Sequence, residues 1–112
     1  MTDNLLLVFL AIVWLHFFGD FILQTDKQAI NKSSNSVILT EHVAFYSLPF
    51  LVFGAKFAVV NGVLHFITDY FTSRATKKLW EKNERHWFFV VIGLDQAIHF
   101  TCLFSTYVWL VQ

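Results

Sequence analysis

The chain has 112 residues, of which 56% are hydrophobic, 19% aromatic and only 14% charged, against roughly 25% charged in ordinary soluble domains. Its 14 phenylalanines and 4 tryptophans are more apolar surface than a soluble domain of this size can bury, so lipid is the natural solvent and one small transmembrane domain over residues 1–112 is the limit. A formal net charge of zero leaves no electrostatic footprint for nucleic acid, and the single cysteine, Cys102, excludes an internal disulfide or a multi-cysteine zinc site.

The first apolar run, residues 4–23, follows MTDN, which lacks the basic start of a signal peptide, so it is expected to stay as a membrane span. TDKQAINKSSNS comes next, rich in turn-forming residues and read as a loop. The second span is predicted over residues 37–53, and Pro49 within it should kink it or end its regular part. Only GAK separates it from a third span over residues 57–73, which implies a tight antiparallel hairpin. ATKKLWEKNERH is a charged, amphipathic connection whose Leu79 and Trp80 suit the membrane surface. The fourth span covers residues 87–110. The predicted fold class is an all-α, polytopic membrane protein built as a four-transmembrane-helix bundle, each span close to the ~20 residues that a bilayer requires.

Lysines and arginines gather in the first and third connections, where Lys27, Lys32, Lys77, Lys78, Lys82 and Arg85 lie, while the short middle turn holds only Lys56. The positive-inside rule places the two basic connections in the cytoplasm and both termini outside it, in the cell (inner) membrane. In that topology the polar residues of the spans come to one depth. His16 and Asp20 lie at the inner end of the first span, His42 at the start of the second, His65 and Asp69 in the inner part of the third, and Asp95 and His99 in that of the fourth. At about 1.5 Å per residue they share a layer roughly 5–18 Å below the cytoplasmic surface.

Three of these sets are His/Asp pairs spaced i,i+4, His16 with Asp20, His65 with Asp69 and Asp95 with His99, so each pair projects from one helix face. Ionisable groups within a span are expensive and usually mark a functional site. Imidazole and carboxylate together are ligands for zinc, manganese or iron, and helical bundles build such centres from facing helices. His16, Asp20, His65, Asp69 and His99 are the candidate metal ligands. Asp95 and His42 are candidates for orienting a ligand or acting as general base. Gln24, one turn beyond Asp20, and Gln96, beside Asp95, are placed to hydrogen-bond a ligand or a substrate.

With these residues in view, the chain resembles a small bacterial and phage integral-membrane family, domain of unknown function 3307. The resemblance rests on HFFGDFILQT from His16 to Thr25, on His42 opening the next helix, on HFITD from His65 to Asp69 and on DQAIH from Asp95 to His99. It covers nearly the whole chain in order and spacing. Many members carry a lysine three residues after the third-helix aspartate, where this chain has Thr72, with Arg74 nearby. The variant HFITDYFTSR resembles a phage-type subgroup. The pattern is also similar, more distantly, to bacterial membrane-bound metal-dependent hydrolases, which implies hydrolysis by analogy alone.

Three functions of different kinds are open at this point. One is a metal-dependent hydrolase acting on a lipid-like substrate at the cytoplasmic interface. Another is a carrier of protons or metal ions, disfavoured by the apolar outer halves LLLVFLAIV, YSLPFLVF and LFSTYVWLV. The third is a non-catalytic interaction protein whose His/Asp pairs only hold the bundle together. The partners expected are the bilayer itself and, where one copy does not close the bundle, a second copy or another membrane protein.

Overall fold

The computed structural model describes residues 2–112, and among them it is helical with no strand. Helix α1, Thr2–Phe17, runs into one widened π-helical turn, Phe18–Ile22, closed by Leu23 N–H donating to the Phe18 carbonyl at 2.9 Å. Helix α2 is Asp26–Asn31, and α3 is Ser36–Ser47 with a 3-10 continuation over Leu48–Phe53. Helix α4 is Ala55–Glu81, and α5 is Arg85–Thr106 with a final π-helical turn, Tyr107–Val111.

Pro49 acts as its chemistry requires: α3 stops being regular at Ser47, and the tighter 3-10 turn carries the proline near its start. A single residue, Gly54 at φ 109°, then reverses the chain into α4, a conformation that glycine adopts without a Cβ penalty.

Two connections differ from the sequence reading. The segment read as a loop contains α2, whose start is a capping box. Thr25 Oγ1 accepts from Gln28 N–H at 3.1 Å, and Gln28 Oε1 accepts from Thr25 N–H at 3.1 Å. The T-x-x-Q spacing that makes this box is a helix-start signal, and it outweighs the turn-forming composition around it. The charged connection after residue 73 is also mostly helix, because α4 runs unbroken to Glu81 and α5 begins at Arg85. Only the turn around Asn83, at φ 60°, separates them, and asparagine is one of the few residues at home there.

Among the described residues, three helical segments are long and apolar enough to cross a membrane: Asn4–Ile22, Ser36–Phe53 and Arg85–Val111. Helix α4 has the length but is less apolar, because it carries a polar stripe. Asn61, His65, Asp69 and Ser73 recur every four residues and are all buried. Val59, Val63, Ile67 and Phe71 recur with the same spacing on the opposite face and are exposed. This pattern is general in the chain. Among the described residues, ten polar or charged ones are buried against eight hydrophobic ones, while Trp14, Val52 and Trp109 are 69%, 74% and 87% exposed, the reverse of a water-soluble core.

One apolar core lies toward the chain termini and the Gly54 turn. It joins Ile12 of α1, Tyr46 of α3, Phe50 of the 3-10 turn, Phe57 and Ala58 of α4 and Leu103 of α5. Beyond Tyr46, toward α2, the interior becomes polar.

Candidate metal centre

Each of the three i,i+4 pairs forms as the helix geometry requires. His65 Nε2 lies 3.2 Å from Asp69 Oδ2, His99 Nε2 3.1 Å from Asp95 Oδ2, and His16 Nε2 3.7 Å from Asp20 Oδ2 across the widened turn. The three pairs then converge with His42, all seven side chains buried.

Gly19 makes the convergence of α1 and α3 possible. A Cβ there would stand 3.0 Å from the Tyr46 ring and 3.1 Å from the Tyr46 carbonyl oxygen. With only a hydrogen at this position, α1 approaches α3 closely enough for Asp20 Oδ1 to reach His42 Nε2 at 3.1 Å.

The tightest group contains Asp20, His42, His65 and Asp69. His42 Nε2 is 3.4 Å from Asp69 Oδ2 and 3.3 Å from His65 Nε2, and His65 Nε2 is 3.6 Å from Asp20 Oδ1. Five of the six distances among these four atoms therefore fall between 3.1 and 3.6 Å. Four ligands arranged tetrahedrally at the ~2.0–2.1 Å of a zinc–nitrogen bond stand about 3.3 Å apart. The donor set fits a divalent cation in size and in chemistry. Neither His42 Nδ1 nor His65 Nδ1 has a hydrogen-bond partner, so these rings lack the outer acceptor usual for metal-ligating histidines. Stacking holds His65 instead, with its ring centroid 3.9 Å from Tyr46 and 4.0 Å from His99.

His16 is placed differently from the other candidate ligands, because both of its nitrogens are engaged elsewhere. Asp95 can only accept, so Gln96 turns its amide nitrogen to Asp95 Oδ2 at 3.1 Å and its oxygen to His16 Nε2 at 2.6 Å. His16 Nε2 must then carry the hydrogen, and Nδ1 accepts from the Tyr46 hydroxyl at 2.8 Å. This chain orients Asp95 from one side. From the other, Thr72 Oγ1 donates to Asp95 Oδ1 at 2.6 Å. His42, read from sequence as an orienting or basic group, sits instead among the four converging atoms. His86 is exposed at the start of α5, away from this cluster.

Lys32 is one of the residues that sequence reasoning missed. Its ammonium donates to Asp69 Oδ2 at 3.0 Å. Gln28 places it there: fully buried on the inner side of α2, Gln28 donates to Glu41 Oε1 at 2.9 Å and so ties α2 to α3. Lys32 follows one turn later at the helix end. The capping box was the available signal, since it marks a helix on which residues 28 and 32 share a face. Burial works against the Lys32 ammonium, but Asp69, with Asp20 and Asp95, outweighs it and holds the amine above the ordinary lysine range.

A cleft of about 180 Å³ opens beside the cluster, walled by Asp20, Asp69, Asp95, Lys32, Gln24 and Gln96 among others. Gln24 Oε1 is buried without a hydrogen-bond partner. A groove of about 400 Å³ between α2, α4 and α5 adjoins the cleft through their shared Lys32, Ser73 and Thr76, and adds Lys77, Trp80 and Phe88. A separate apolar hollow of about 430 Å³ between α3 and α4 contains none of these site residues.

Residues 6–112 match the sequence model of a family described as a protein of unknown function, DUF3307. The chain belongs to this family. No curated protein and no solved structure matches it. The histidines and aspartates that carried the DUF3307 resemblance, from His16 to His99, meet in or beside the cluster. Thr72 bonds Asp95, while Arg74 turns outward to stack 3.7 Å over the Tyr70 ring. The ammonium at Asp69 comes from Lys32, across the fold.

Proposed function

We propose that this protein is a multi-pass membrane protein holding a divalent metal ion near the cytoplasmic face, and that it acts as a metal-dependent hydrolase on a lipid-like substrate. The observation that carries the reading is the close convergence of Asp20, His42, His65 and Asp69, with five of the six distances between their facing atoms at 3.1–3.6 Å.

The charge balance supports it. Asp20, Asp69 and Asp95 are buried and face one ammonium, Lys32. With the imidazoles neutral, as ligation requires, three negative charges against one positive leave a net negative charge that attracts divalent cations. Zinc, manganese and iron all accept this nitrogen–oxygen donor set. Such a cation supplies Lewis acidity for attack of water on a phosphoryl or acyl centre. The protein's own residues then have assigned tasks. Asp95, held by Gln96 and Thr72 at the cleft wall, is the general base. Gln24 and Lys32 orient an anionic or polar substrate group entering along the groove.

Membrane placement follows from the inverted distribution of residues and from charge. In this reading α4 is the fourth crossing segment, with its polar stripe turned inward and its valines toward lipid. Seven of the eight lysines and arginines lie at the end of the molecule that carries α2 and the α4–α5 turn, and Lys56 lies at the other. The positive-inside rule then sets that basic end in the cytoplasm and both termini outside.

Metal analysis of the full chain purified in mild detergent tests the centre. The expected result is bound zinc, manganese or iron, lost in Asp69→Asn. Protein that carries none and gains no thermal stability when these ions are added would overturn the reading. Hydrolysis is tested by incubating the loaded protein with phospholipid vesicles and following headgroup or fatty-acid release by mass spectrometry.

A further inference from the structure

We propose that the centre is dinuclear, with Asp20 and Asp69 as carboxylate bridges and a second divalent cation held by Asp95 and His99. This rests on the metal-binding reading above, goes beyond its single ion, and makes Asp95 a ligand in place of its role there as general base.

The two oxygens of Asp69 face different partners. Oδ2 points to His42 at 3.4 Å and His65 at 3.2 Å, while Oδ1 points to His99 Nε2 at 3.3 Å. Asp20 is divided in the same way. Its Oδ1 faces His42 and His65, and Oδ2 turns toward the α1–α5 side, 3.7 Å from His16 Nε2. Asp20 also forms a second group with Asp95 and His99 whose donor atoms lie within 4.8 Å of one another. Carboxylates that present one oxygen to each of two donor sets are the bridges of di-metal sites in helical bundles.

Ion pairing alone does not satisfy the second set. His99 Nε2 faces Asp69 Oδ1 at 3.3 Å and Asp95 Oδ2 at 3.1 Å, yet a ring nitrogen carries a single hydrogen along one direction. A cation among the three atoms satisfies all of them. Asp95 is also oriented from outside as ligating carboxylates are, by Thr72 at 2.6 Å and Gln96 at 3.1 Å.

The two sets differ in access. The cleft is lined by Asp20, Asp69 and Asp95 and by none of His42, His65 and His99, so of the groups not shared between the two sets Asp95 alone opens to it. The first set is closed by four protein ligands, and the second keeps a side open to the cleft. Closed sites suit a structural ion and open sites a reactive one. The second cation is therefore the one that meets substrate, beside the buried and unpartnered Gln24 Oε1.

The test is the molar ratio of manganese to full-length protein in detergent after loading and desalting, together with the electron paramagnetic resonance spectrum. Two ions per chain with an exchange-coupled signal are expected, since paired metals stand about 3.5–4 Å apart. His99→Gln should lower the ratio to one and remove the coupling. One ion per chain in the wild type, or two ions without coupling, overturns the dinuclear proposal and leaves the single-ion reading standing. No bound ion overturns both.

Discussion

Asp69 is the most connected side chain in the cluster, so Asp69→Asn separates a metal centre from a purely structural network. Its carboxylate touches Lys32, His42, His65 and His99 at 3.0, 3.4, 3.2 and 3.3 Å. If these were only side-chain hydrogen bonds, three between helices and one within α4, each would be worth about 0.6 kcal/mol in a membrane protein. Four of them would come to about 2 kcal/mol, lost equally with and without metal. If Asp69 is a ligand, the wild type gains about 2.7 kcal/mol more when free metal is a hundredfold above its dissociation constant, and the variant forfeits that gain. The assay is thermal unfolding in detergent, with chelator and then with saturating zinc or manganese. The expected outcome is a metal-induced rise in Tm for the wild type and little or none for Asp69→Asn. Equal rises in both proteins, or no rise in either, would refute the assignment of Asp69 as a ligand.

Lys32→Met removes the ammonium at Asp69 and should destabilise the metal-free protein by roughly 3 kcal/mol, the lower end for an uncompensated buried charge, while metal binds about tenfold more tightly for ~1.4 kcal/mol of relieved repulsion; calorimetric titration showing weaker binding would contradict this. Because the amine is held above its ordinary 10.5, the stability it contributes is complete below that pH and fades only as pH rises through the higher folded value, so the gap in Tm between Lys32→Met and wild type should stay constant from neutral pH to 10.5. Gly19→Ala pushes a methyl group to 3.1 Å from the Tyr46 carbonyl and should cost about 1–3 kcal/mol of overpacking, together with a measurable loss of metal affinity as Asp20 moves from His42. Gln28→Ala breaks the capping box and the tie to Glu41, costing about 1–2 kcal/mol, and hydrogen exchange over residues 25–34 should quicken while the α5 core stays protected. Lys56→Cys and Lys78→Cys, labelled with an impermeant maleimide in oriented vesicles, should react from opposite sides; labelling from one side would overturn the topology.

The cluster was legible because its ingredients obey helical periodicity. An i,i+4 pair announces a shared face before anything is known of the neighbours, and the three His/Asp pairs did so for α1, α4 and α5. His42 was legible for a different reason, its depth one turn into an apolar segment. What periodicity does not encode is which nitrogen or oxygen faces which partner. That is why His16 reads as a ligand from sequence while the Tyr46 hydroxyl and Gln96 amide occupy both its nitrogens. Lys32 and Thr72 were missed because each reaches the site through a tertiary approach. Lys32 depends on Gln28 docking α2 against Glu41, and Thr72 on the packing of α4 along α5. The length of α4 was misjudged from its charge. Arg74, Lys77 and Lys78 look like a loop when a helix is assumed to end with its apolar run, but lysine and arginine are good helix formers.

The interior also bears on which kind of chemistry is favoured. On the terminal side of the cluster, Ile12, Phe50, Phe57 and Leu103 fill the core, and Tyr46 marks the boundary with its hydroxyl turned to His16 and its ring within the apolar packing. The Asn61–Thr106 pair, at 2.8 Å, interrupts this region, and it bonds within itself and to the backbone rather than continuing toward the cluster. A carrier must pass its cargo through both halves of the membrane, and an unbroken file of polar groups is the minimum for that. Here the polar layer ends at Tyr46, while on the other side it opens through the cleft and the groove lined by Lys32, Thr76 and Lys77. Access from one face with a dry floor is the arrangement of a site that admits a substrate and returns a product on the same side. The apolar packing on the closed side also lowers the local dielectric, which would strengthen the action of each carboxylate on a bound cation. The aromatic floor thus favours the hydrolase over the carrier on physical grounds that the motif itself does not contain.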